Sequence, residues 1–190
     1  RPVRMCGTHA DVTERKLMEE EIAHQARTDY LTGVFNRRHF MALATAEIER
    51  AKRYDSDLSI LMLDVDRFKR INDRHGHRVG DAVLRALCKG CHAALRTPDV
   101  FGRLGGEEFA ILLPETDLEA AAEVAERLRL VAADASVPEE SGRPVRFTVS
   151  IGVSAMVSDG DDIGTLLNAA DRALYAAKNA GRNRVQVLAR

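Results

Sequence analysis

The chain has 190 residues, 45% of them apolar and 30% charged, with 28 basic side chains against 29 acidic ones. That balance excludes a general electrostatic footprint for nucleic acid or anionic lipid, so any phosphate recognition must be local. No apolar run approaches the length of a membrane span, and three cysteines are too few for a disulfide scaffold; they suit a reducing, cytoplasmic compartment.

Residues Arg1 to Asp11 read as the end of a strand and a turn with no core of their own. A charged helical run follows to about Thr28, capped by Asp11 or Thr13, with Leu17, Met18, Ile22 and Gln25 as a narrow apolar stripe. A stripe that narrow wants a partner helix. The chain begins at Arg1 rather than Met and shows no signal-peptide pattern, as expected of a piece of something longer that could as a whole be membrane-attached. Residues 1–28 are therefore expected to be a remnant plus a connecting helix, and residues 29–190 the main domain.

Within that domain, Asn36 is placed to cap a helix from Arg37 to about Tyr54, with Phe40, Ala44, Ile48 and Ala51 on its buried side. Leu58 to Leu63 is a continuous apolar run ending in Asp64-Val65-Asp66, the pattern of a buried central strand with carboxylates at its end. A short helical turn reaches Asn72; Gly76 and Gly80 are expected to break it, and Asp81 to start a helix to about Leu95. Two apolar runs, Val100 to Leu104 and Phe109 to Leu113, flank Gly105-Gly106, which predicts a hairpin with positive φ at both glycines. Thr116 and Glu119 read as a capping box for a helix to about Ala133. Phe147 to Val153 is a strand. Asp162 or Thr165 precedes a helix stopped by Gly181, and Val185 to Leu188 is the last strand. Helices and strands mix without strict alternation, which predicts an α+β fold with helices on a mostly antiparallel five-stranded sheet.

Asp64 and Glu107 become neighbours if their strands pair. Two carboxylates with an exposed carbonyl such as that of Val65 are hard-oxygen donors suited to magnesium; the bland reading keeps Asp64 as a strand terminator and Asp66 as a cap. Lys178 and Arg182 at a helix end suit either the helix dipole or a clamp on nucleotide phosphates. Asn72 and Asp81 are either turn and cap residues or readers of a guanine edge. Cys88-Lys-Gly-Cys91-His92 matches a haem-attachment pattern, but both cysteines fall on the apolar face of a helix, where small buried thiols fit better. His75 and His77 are flanked by Gly76 and Gly80, which suggests a turn with His77 as a hydrogen-bonding brace rather than a metal site.

Five motifs, in order and spacing, resemble the GGDEF family of diguanylate cyclases. They are Asp29-x-Leu-Thr-Gly-x-x-Asn-Arg-Arg, Asp64-x-Asp-x-Phe-Lys-x-Ile-Asn-Asp, Gly76-His-x-x-Gly-Asp81, Arg103-Leu-Gly-Gly-Glu-Glu-Phe, and Leu174-Tyr-x-Ala-Lys-x-x-Gly-Arg-Asn183. The third residue of the signature is Glu107 where Asp is more frequent, which keeps the carboxylate. Gly7 to Lys16 resembles the closing strand and exit of a PAS sensor domain. The GGDEF resemblance implies a palm-like nucleotidyl cyclase fold that condenses two GTP into cyclic di-GMP and two pyrophosphates. It further implies two Mg2+ or Mn2+ ions on Asp64, Glu107 and the Val65 carbonyl, and guanine recognition by Asn72 and Asp81. Gly105 and Gly106 would let the backbone approach the phosphates, Phe68, Lys69, Lys178 and Arg182 would line the triphosphate, and Glu108 would act as base or further ligand. Because each domain holds one GTP, the resemblance implies a homodimer. It also implies product inhibition at Arg96 and Asp99, with Arg127 as a further contact. The rival from another class is a non-catalytic module that binds GTP or cyclic di-GMP. Such relatives lose a metal carboxylate or a turn glycine, and both are present here. A third expectation is regulation of a phosphodiesterase domain beyond Arg190.

Overall fold

The computed structural model describes residues 27–139, 142–158 and 160–187. The PAS-like strand and the connecting helix up to residue 26 lie outside the described residues.

The central strand is β2, Leu58–Val65, every residue of which is buried. Its alternation builds two cores at once, because successive side chains leave opposite faces. Leu61, Leu63 and Val65 join one apolar cluster, and Leu58, Ile60 and Met62 the other. Antiparallel partners flank β2 on both sides: β4, Glu108–Pro114, and β7, Val149–Ala155. Beyond β4 lies β3, Val100–Arg103, and at the edge β1, Phe35–Asn36, pairs with β3 in parallel. On the other flank, β8, Val185–Val187, runs parallel to β7. The order is β1-β3-β4-β2-β7-β8, with a separate ribbon of β5, Ser136–Val137, and β6, Val145–Arg146. The α+β architecture is as expected, with six strands in the main sheet rather than five. Two residues of β1 are too short to carry an alternation signal.

Helices cover both faces. On one, α3, His77–Ala94, supplies Val83, Leu84, Leu87, Cys88 and Cys91, and α4, Leu118–Asp134, supplies Ala121, Val124, Ala125 and Leu128. On the other lie α1, Arg37–Tyr54, and α5, Ile163–Asn179. The short α2, Phe68–His75, follows β2 directly. Asn36 caps α1 by accepting from the His39 N–H at 3.0 Å, and Asp162 caps α5 by accepting from Thr165 at 2.7 Å.

Three local expectations are corrected. Gly80 lies inside α3 rather than before it. Its missing side chain admits α2: a Cβ there would stand 1.9 Å from Asn72 Oδ1 and 3.2 Å from Phe68. Helix α4 is capped by Asp117, which accepts from the Ala120 N–H at 2.8 Å, because the Thr116 hydroxyl is committed to the Pro114 carbonyl and to Arg96. The brace near Gly76 is His75, whose Nδ1 bonds to Glu139, while His77 opens α3 exposed.

Candidate active site

The site forms where β2 ends. Asp64 follows the even-numbered, α1/α5-facing register of β2, so its carboxylate points toward α5. There Lys178 meets it, Nζ to Oδ2 at 2.9 Å. Across the sheet Asp64 is the partner of Glu108, and the Val65 N–H donates to the Glu107 carbonyl at 3.3 Å. The expected pairing of the Asp64 strand with the Glu107 hairpin is therefore present. Burial pushes the Asp64 carboxyl up to about 6; Lys178 pulls it down, and the charges of Glu107 and Glu108 add to the rise. Loss of hydration on burial is thus the largest influence on this carboxyl, ahead of the pull of Lys178.

A cation bound here would offset that lost hydration. Among the described residues no group of three or more His, Cys, Asp and Glu side chains is gathered as a metal cage. Magnesium does not need one, since one or two carboxylates plus substrate phosphate oxygens suffice for it. Asp64, Glu107 and the Val65 carbonyl fit that donor set.

The Gly105-Gly106 turn differs from expectation. Neither glycine has positive φ, so this is not the primed turn their pairing predicts. Arg103 holds the turn instead. Its Nε donates to the Gly105 and Gly106 carbonyls at 3.1 Å each, and its Nη2 to Gly106 at 2.6 Å. Its Nη1 bonds to Asp29 Oδ1 at 2.9 Å, and Asp29 also accepts from the Thr32 N–H and hydroxyl. A Cβ at Gly106 would meet nothing within 4 Å, which leaves that backbone open to an approaching group.

The other residues expected to bind a nucleotide lie on α2, on α3 and past the end of α5. Phe68 is buried, so the group it offers outward is its backbone at the start of α2, while Lys69 is exposed beside it. Asn72 Oδ1 is buried with no hydrogen-bond partner, and Asp81 is half-buried in the early part of α3. Arg182 lies past the end of α5 in left-handed backbone, φ 63°, with Asn183 at φ 46°. What fixes that loop is Asp66, not a cap at all: it accepts from Thr148 and Ser150 hydroxyls at 2.7 Å each and from the Asn183 N–H at 2.9 Å. Arg103 and Asp29, which the sequence leaves without a role, and Asp66, which it offers only as a cap, are positioning residues. Each stood inside a quoted motif, which was the available signal.

The profile of the diguanylate cyclase GGDEF domain matches residues 26–184. The chain belongs to the GGDEF family. This GGDEF domain is 45% identical over 181 residues to diguanylate cyclase DgcM of Escherichia coli K12, covering 95% of this chain and 43% of that protein. Its fold is similar to that of the coiled coil and GGDEF domain of DgcB from Caulobacter crescentus in complex with c-di-GMP. The TM-score is 0.87 at 29% identity, with 94% of each chain covered. It is also similar to the active GGEEF domain of a diguanylate cyclase from Vibrio cholerae, with TM-score 0.76, 37% identity, and coverage of 82% and 97%. The chain spans less than half the length of the E. coli relative.

Away from its turn, the GGDEF domain brings the Arg96 group together. The Arg96 N–H donates to Asp99 Oδ2 at 2.8 Å, and its guanidinium reaches Asp99 Oδ1 at 3.3 Å and the Thr116 hydroxyl at 2.8 Å. Arg127 donates to the Ala94 carbonyl, just before Arg96, at 3.1 Å. Cys88 and Cys91 are both buried; burial pushes the Cys88 thiol up to about 12 and Cys91 upward as well. Inert thiols in α3 agree with the small-hydrophobe reading. No helix among the described residues is long and apolar enough to cross a membrane.

Proposed function

We propose that this domain condenses two molecules of GTP into cyclic di-GMP, releasing two pyrophosphates. The observation that carries the reading is the buried Asp64 carboxylate, held up to about 6 beside Glu107 and Glu108 and touched by Lys178. Asp64, Glu107 and the Val65 carbonyl would hold two divalent ions, Mg2+ or Mn2+. When bound, such ions neutralise phosphoryl charge and lower the pKa of a coordinated hydroxyl.

The chain's own residues do the rest. Asn72 Oδ1, an acceptor left without a donor, and the Asp81 carboxylate select the N–H groups of a guanine edge. The open backbone at Gly106 and the first N–H groups of α2, with Lys69, take phosphate oxygens. Lys178 and Arg182 neutralise charge on the β- and γ-phosphates as the bond to the α-phosphorus breaks. The 3′-hydroxyl of one GTP attacks the α-phosphorus of the other and pyrophosphate departs; a second such exchange closes the ring. Glu108 accepts the hydroxyl proton or serves as a further metal ligand. One domain positions one GTP, so two domains must face each other. Arg96, Asp99 and Arg127 form the site at which product would inhibit.

The test is Glu107→Gln, which removes a charge without changing size. It is expected to lower cyclic di-GMP formation by about 100-fold or more, with the thermal unfolding temperature retained. Unchanged product formation would remove Glu107 from the site.

A further inference from the structure

Helix α2 has a second face that this reaction does not use. Phe68 and Asn72 face α3 at Gly80. Arg67, Arg70, Ile71 and Arg74 follow one another at helical spacing along another side. That side forms one wall of an open cavity of about 920 Å3 whose lining also includes Val145, Arg146, Phe147 and Arg182. The volume is that of a small-molecule site, and buried Phe147 and Val145 give it an apolar floor.

Its charge is the unusual part. Five arginines line it in a chain whose net charge is −1. Among the described residues, Arg67, Arg70, Arg74 and Arg146 form no ion pair, whereas Arg50, Arg96, Arg103 and Arg129 each do. Two acids also line it: Asp66, whose oxygens accept from Thr148, Ser150 and the Asn183 N–H, and the exposed Asp73. Five arginines against two aspartates leave the lining with an excess of positive charge. Guanidinium forks with spare donors on several sides of a concave wall match phosphate oxygens.

We propose that this cavity is a second phosphate site, taking a di- or polyphosphate anion apart from the substrate triphosphate. The chemistry is shared by free pyrophosphate and by the phosphate tail of a nucleotide. The site rests on the arginines; only the link to the leaving pyrophosphate rests on the proposed function, through Arg182, which belongs to both walls.

The test is calorimetry of the full chain with pyrophosphate and with a non-hydrolysable GTP analogue. It compares the unaltered protein, the triple variant Arg70→Ala/Arg74→Ala/Arg146→Ala, and Arg182→Ala. All three residues of the triple variant are exposed, and a charge-reversed Arg70→Glu/Arg74→Glu variant repeats the test in different chemistry. The triple variant is expected to weaken pyrophosphate binding about tenfold or more, with cyclic di-GMP formation within about twofold of normal. A fall in analogue stoichiometry from two per domain to one identifies a nucleotide tail as the occupant; unchanged stoichiometry identifies pyrophosphate. Pyrophosphate binding that survives the triple variant but is lost with Arg182→Ala belongs to the triphosphate clamp and overturns the proposal. Absence of binding at millimolar pyrophosphate overturns it too. Arginine-dependent binding without any cyclase product would leave this site standing and remove the cyclase reading instead.

Discussion

Asp29 and Arg103 stand 74 residues apart and meet at 2.9 Å, which is how the start of the domain grips the Gly105-Gly106 turn. Burial would push the Asp29 carboxyl up, but hydrogen bonds from Thr32 and Arg103 outweigh it, and the group lies below the ordinary carboxylate range. A carboxylate depressed in the folded state contributes stability above its unfolded pKa and loses it as pH falls through the folded one. Asp29→Asn is therefore expected to cost about 1–3 kcal/mol near neutral pH, with the difference from the unaltered protein shrinking below about pH 4. Urea unfolding at both pH values checks this; a gap that persists at low pH would mean the charge is not what matters. The motifs showed both residues, but not their contact. Nothing local links positions so far apart, so the sequence read the two glycines as a self-sufficient turn, and the guanidinium that holds them went unassigned.

Element α5 carries Lys178, and its placement depends on Gly152 of β7. A Cβ at Gly152 would stand 2.1 Å from the Ala170 carbonyl oxygen and 2.2 Å from the Leu174 nitrogen, both backbone atoms of α5. Gly152→Ala must lift the helix off the sheet, at a cost of about 1–3 kcal/mol or more. Because Lys178 moves with α5, turnover is expected to fall more than the fraction of unfolded protein explains, which parallel melting and activity assays resolve. Normal turnover would uncouple α5 seating from the site. Elements with strong periodicity were legible: β2 as a buried run, and α1, α3 and α5 by their apolar stripes. Elements decided by packing were not. A helix-interior glycine costs about 1 kcal/mol relative to Ala, so Gly80 reads as a breaker until α2 is seen pressed against it. Thr116 looks like a cap until Arg96 claims its hydroxyl.

At the scale of the molecule, a sheet covered by α3 and α4 on one face and by α1 and α5 on the other leaves the end of β2 as the place where Asp64, the Gly105-Gly106 turn and Lys178 converge. That convergence was legible because five motifs name its parts. The arginine-lined cavity was not, since Arg67 and Arg70 fall at variable positions of their motif, Arg74 and Arg146 lie outside every motif, and only the fold brings α2, β6 and the loop after α5 together. One domain offers one set of these groups, and the proposed reaction needs two GTP molecules held opposite each other. The most direct measurement is incubation of this chain with GTP and magnesium, following nucleotides by chromatography across protein concentration. The account predicts cyclic di-GMP, formed with a dependence on protein steeper than first order. A strictly first-order dependence would contradict the requirement for two facing domains. Absence of product, even with the domains joined as a forced dimer, would contradict the cyclase itself.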